Sequence, residues 1–171
     1  MSGSSRALQA KAGRGASQCC VGALMMIQRV YENSDSRWTM IAVVGSAITM
    51  LFSVHLVPPA KFLLFYSLVL AVTAGIYVGF ALIDGRQKSM VVEGVGLGIF
   101  MYLSLFGVDD YRLLVAGELL HIVWDCLHHP LAIETRMSGL DWYPSACLIY
   151  DGALAAFIYY HYNPVPLHKY L

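Results

Sequence analysis

Four carboxylates, Glu93, Glu118, Asp125 and Asp151, lie inside long apolar runs, and no Lys or Arg accompanies them at depth. A lone carboxylate near mid-bilayer costs on the order of 3 kcal/mol on insertion scales, so each must be protonated, hydrogen-bonded or paired with a cation. The partners within reach along the chain are histidines. His121, His128 and His129 share one run with Glu118 and Asp125. At about 100° per residue, these five residues fall within an arc of roughly 100° on one helix face. Such a stripe is expected to face a bundle interior and line a cavity or a bonded cluster.

The residue types suit two chemistries. Asp125 stands between His121 and His128 at helical spacing, a pattern that can hold a divalent metal, Zn or Fe, with Asp151 or Glu93 as a further ligand. The candidate metal ligands are His121, Asp125, His128 and Asp151. Without a metal, a buried carboxyl serves as general acid and a histidine as base, which suits isomerisation, cyclisation or hydrolysis of a lipophilic molecule. The sequence leaves both versions open. The candidate catalytic residues are Glu93, His121, Asp125, His128, His129 and Asp151. Trp124 beside the stripe reads as packing, Cys126 and Cys147 as small apolar fillers, and Asp109, Asp110, Glu134 and Asp141 as solvated loop charges.

The elements that must position these groups are membrane helices. The chain has 171 residues, 58% hydrophobic and only 13% charged, where a soluble domain carries roughly a quarter charged residues. A soluble globule is nearly ruled out by that balance. Five apolar runs, 39–57, 62–83, 90–106, 111–129 and 145–162, are each long or nearly long enough to cross roughly 30 Å of hydrocarbon. Pro58 and Pro59 end the first, a charged turn around Arg86 follows the second, and Asp109 and Asp110 stop the third. The expected fold is all-α, an integral membrane bundle of about five transmembrane helices over 37–163. Residues 1–36 form a basic N-terminal arm and 164–171 a short tail. The arm is Ser-rich and acid-poor, a composition shared by disordered cytosolic arms and mitochondrial transit peptides, and Cys19 and Cys20 in it are acylation candidates.

Eight Lys and Arg fall on the side of the N-terminal arm and the second and fourth connections, and three (Lys61, Arg112, Lys169) on the other, out of 11 in all. That bias puts the N-terminus inside. Counting 1.5 Å per residue from the run ends then brings Glu93, Asp125 with His128, and Asp151 to one layer near the inner face. His55, His161 and His168 lie at the other end. Gly75 with Gly79, and Gly94 with Gly98, read as small faces for close helix approach. Net charge is zero, which gives the chain no pull on nucleic acid.

The stretch His121-Ile122-Val123-Trp124-Asp125-Cys126-Leu127-His128-His129, with Glu93 upstream and Cys147-x-x-x-Asp151 downstream, resembles a family of small bacterial and fungal multi-pass membrane proteins classed only as a domain of unknown function. The resemblance covers roughly residues 45–162 and rests on H-x-x-W-D-x-x-H-H followed by a buried Asp. It implies a fold and a polar constellation, and no activity. Glu118 stands where the family has a large apolar residue; the long third and fourth connections and the basic arm also depart from it. The reading that follows is a multi-pass membrane enzyme for a lipophilic substrate, partnered by the lipid bilayer and compatible with a homo-oligomer. The alternatives are a small proton-linked carrier or channel, and a structural protein that uses the polar groups to fix its bundle.

Overall fold

In a computed structural model the described residues are 36–128, 133 and 142–163. His129, Glu134, Asp141, Cys19, Cys20, the N-terminal arm and the C-terminal tail lie outside them. All the described residues belong to one unit of the chain, Ser34–Leu171.

Among the described residues five α-helices stand where the five apolar runs predict them, with ends shifted by a turn or less: α1 Ser36–Leu56, α2 Phe62–Asp84, α3 Gln87–Gly107, α4 Tyr111–His128 and α5 Tyr143–Tyr162. A 3-10 turn, Pro59–Lys61, joins α1 to α2. The helices start and stop for local reasons. Pro58 and Pro59 cannot continue α1. Gly85 closes α2 in the left-handed region at φ 71°, its N–H bonded to Ala81 O at 3.0 Å, a conformation that costs glycine little. Pro144 sits in the first turn of α5, where its missing N–H is not needed. No strand occurs among the described residues.

Sequential helices run antiparallel. Trp38 at the start of α1 stacks on Trp142 just before α5, with ring centroids 3.8 Å apart. At the opposite end, Phe62 opening α2 stacks on His161 near the end of α5 at 4.2 Å, and Tyr111 opening α4 stacks on Tyr162 at 5.0 Å. The main packing runs α2 on α3, α3 on α4, α4 on α5 and α5 on α1, with α2 also meeting α4. Helix α4 is thus ringed by α2, α3 and α5. Helix α1 is joined to the rest by two hydroxyl pairs, Thr49 with Tyr150 at 2.9 Å and Ser53 with Tyr66 at 2.8 Å.

Polarity is distributed inside out. Glu93, Glu118, His121, Asp125 and Asp151 are buried, whereas Met40, Ile41, Val44, Leu51, Leu68, Val72, Leu82, Val95 and Leu105 are exposed. Water would reverse that pattern; hydrocarbon requires it. Three helical stretches, Ser36–Leu56, Pro59–Asp84 and Gln87–Gly107, are long and apolar enough to cross a membrane. Helices α4 and α5, expected as the fourth and fifth spans, are not in that set, and α4 is the helix that carries the polar stripe. An apolar cluster of Phe62, Tyr66, Leu70, Ala74, Phe100, Leu114, Leu154 and Ile158 fills the bundle beside the stripe.

The glycine pairs behave otherwise than expected. A Cβ built at Gly75, Gly79, Gly94 or Gly98 meets nothing within 4 Å, so none of them brings two helices together. Close approach occurs instead at Gly96, where a Cβ would lie 2.5 Å from the Trp124 indole, and at Gly117, 2.5 Å from Leu70 Cδ2. Spacing alone cannot tell which side of a helix faces a neighbour. Gly96→Ala is therefore expected to lower stability by about 1–3 kcal/mol through overpacking, while Gly94→Ala and Gly98→Ala stay within about 0.5 kcal/mol of wild type. Thermal unfolding of the purified protein in detergent reads the difference; equal shifts in all three would contradict the packing described.

Candidate functional site

The polar groups are gathered by four helices. From α4, Glu118, His121, Asp125 and His128 share the buried face that helical spacing predicts. Helix α3 adds Glu93, α5 adds Asp151 and Cys147, and α2 adds Tyr77; of these Glu93, Asp151 and Tyr77 are no more than 1% exposed. His129, the remaining candidate, is outside the described residues.

Two carboxylate–imidazole pairs form, both at 2.7 Å. His121 Nδ1 meets Asp151 Oδ2, and His128 Nε2 meets Glu93 Oε1. The expected single layer is thus a ladder. His121 and His128 are seven residues apart on one helix, about 10 Å along its axis, so their carboxylates occupy successive levels.

Asp125 lies between the two pairs. Its Oδ1 accepts from the Tyr77 hydroxyl at 2.5 Å, and its Oδ2 stands 3.7 Å from His121 Nδ1. One carboxylate oxygen each of Asp125 and Asp151 lie within 4.8 Å of each other. Tyr77 links the levels through space, its ring 4.3 Å from that of His128 and 5.7 Å from that of His121.

The two histidines differ in what they leave open. His128 Nδ1 meets the Trp124 carbonyl at 2.8 Å. A carbonyl only accepts, so this nitrogen carries a proton, and both ring nitrogens are engaged. In His121 only Nδ1 is engaged; Nε2 is buried with no partner among the described residues. Asp125 Oδ2, Asp151 Oδ1 and both Glu118 oxygens are likewise buried without a hydrogen-bond partner. Native interiors satisfy most buried polar groups, with protein, water or a bound ion as the partner.

Three participants are not those the sequence suggests. Trp124 does more than pack: its Nε1–H donates to Glu93 Oε2 at 3.2 Å. Cys147, read from the sequence as a filler, has its sulfur with His121, Asp125 and Asp151 in a set whose ligand atoms all lie within 4.8 Å of one another. His128, expected among the metal ligands, is outside that set and bound to Glu93. Tyr77 was not singled out at all; its one signal was a phenol hydroxyl in the middle of an apolar helix, which needs a buried partner.

Fold and site together define a class, a helical bundle with an apolar exterior and an interior furnished with paired carboxylates and imidazoles. No family model, no curated protein and no solved structure matches the chain.

Proposed function

We propose that the chain is a multi-pass membrane enzyme, with five spans and its N-terminus inside, that isomerises, cyclises or hydrolyses a lipophilic small molecule at the buried Glu/Asp/His cluster. On the same footing we propose that it is a relative of the family of unknown function that its H-x-x-W-D-x-x-H-H run resembles. One observation carries the activity: His121 is oriented by Asp151 through Nδ1 while its Nε2, wholly buried, has no partner. A carboxylate that fixes the tautomer leaves the other nitrogen's lone pair available to a substrate proton. A device that only locked helices together would close its hydrogen bonds, as Glu93 and His128 do.

The ladder from Glu118 through His121 and Asp125 to His128 also favours a second reading, a proton-linked carrier or channel, because it sets ionisable groups at successive heights along α4. Comparison of extractable lipids from cells expressing wild type or His121→Gln separates the two. The enzyme reading expects a substrate to accumulate and a product to vanish in the variant. The carrier reading expects unchanged lipids, and a proton or substrate flux in reconstituted vesicles that Asp151→Asn abolishes.

A further inference from the structure

We propose that His121, Asp125, Cys147 and Asp151 form a four-ligand site for a divalent transition metal, Zn2+ by its donor set, with Cys147 as the thiolate ligand. The proposal rests on the enzyme reading for its purpose, but not for its geometry.

That geometry comes from two facing helices. Helix α4 offers His121 and Asp125 four residues apart, and α5 offers Cys147 and Asp151 at the same spacing. Residues at i and i+4 lie on one face one above the other. Because the two helices run antiparallel, His121 comes level with Asp151 and Asp125 level with Cys147. Two matched pairs on neighbouring helices place four side chains around one point, the way helical bundles build internal metal centres.

The donor distances suit a small ion. Each residue offers one ligand atom such that all four atoms lie within 4.8 Å of one another. Bonds of about 2.0–2.3 Å in a tetrahedron set donor separations of about 3.3–3.7 Å. The His121 Nδ1 to Asp125 Oδ2 separation, 3.7 Å, already matches, and the widest needs a contraction of roughly 1 Å. One imidazole nitrogen, one sulfur and two carboxylate oxygens are the donor types zinc takes.

Independent support comes from atoms left open at this point. Asp125 Oδ2 and Asp151 Oδ1 are buried without hydrogen-bond partners among the described residues, and their residues are fully enclosed. Among the described residues no Lys or Arg pairs with Asp125 or Asp151, and the one cationic group that can reach either carboxylate is His121. A dication supplies further counter-charge. Binding converts the Cys147 thiol to thiolate and releases its proton. The competing occupant is a single proton shared by the two carboxyls, which requires nothing of Cys147.

Cobalt(II) distinguishes these. Full-length protein in detergent, stripped with chelator and titrated with Co2+, should give the visible bands of a four-coordinate site and a near-ultraviolet thiolate-to-cobalt band, both removed by equimolar Zn2+. Cys147→Ser should lose the near-ultraviolet band and keep the visible ones at weaker affinity. His121→Gln and Asp125→Asn should each weaken binding by more than about tenfold. Circular dichroism of each variant checks that its helices remain. No cobalt spectrum in wild type, or a thiolate band that survives Cys147→Ser, would overturn the site and leave the shared proton. Elemental analysis of the purified protein should give close to one zinc per chain, falling in His121→Gln. A metal centre with unchanged cellular lipids would sink the enzyme reading alone, and altered lipids without a cobalt spectrum would sink the metal alone.

Discussion

On the proposed enzyme reading, turnover is expected to fall by about 10²–10⁴-fold in both His121→Gln and Asp151→Asn, the range that a positioned proton-transfer group contributes. The two residues act through one hydrogen bond of 2.7 Å between groups with no solvent exposure, so their effects should not add. Residues that work as a unit cost about as much singly as together. The double variant should therefore sit near the worse single one. Asp151→Asn keeps the size and a hydrogen-bonding amide, which limits structural damage and isolates the loss of charge that orients the imidazole. Product formation in membranes carrying each variant, normalised to folded protein, measures this. Wild-type turnover in either variant would remove His121 and Asp151 from the chemistry.

The second large effect concerns stability. Glu93→Ala should destabilise the bundle by about 3–5 kcal/mol, because it strands His128 in an enclosed, hydrogen-bonded position. Glu93 makes two contacts, with His128 Nε2 at 2.7 Å and with the Trp124 Nε1–H donor at 3.2 Å. Replacing both partners by apolar residues, Glu93→Leu with His128→Leu, removes the buried polar groups together. It should recover most of that loss, as apolar substitutes for buried ion pairs do. Denaturant or thermal unfolding in detergent gives both numbers. A double variant less stable than Glu93→Ala would mean the pair contributes net stability rather than mutual satisfaction.

Much of this organisation was legible in the residues themselves. Apolar run length and the punctuation at Pro58, Pro59, Asp109 and Asp110 located the helices, since hydrocarbon leaves a chain few other options. The common face of Glu118, His121, Asp125 and His128 followed from helical spacing, which is local geometry. What could not be read was anything set by rotation or sliding between helices. Which imidazole takes which carboxylate depends on relative helix height, so one expected layer became two. Gly94 and Gly98 look identical to a packing motif along the chain and turn out to face open space, whereas Gly96 between them meets Trp124. Tyr77 was invisible, and Cys147 read only as a filler four residues before Asp151, for the same reason: an isolated phenol or thiol acquires neighbours only from what another helix sets against it. Glu118, the departure from the resembled family, is as deeply enclosed as the rest.

The antiparallel match between α4 and α5 has a consequence for how the bundle finds its register. Leucine and valine surfaces slide past one another in oil with little to choose between one position and the next, and a slip of one turn is only about 5.4 Å. Such a slip in one direction would bring Asp125 level with Asp151 and leave His121 beside Ala155; in the other it would strand Asp151 beside Gly117. Either offset separates the imidazole from its acid inside the bundle, so the two polar pairs act as a detent that holds otherwise slippery rods at one height.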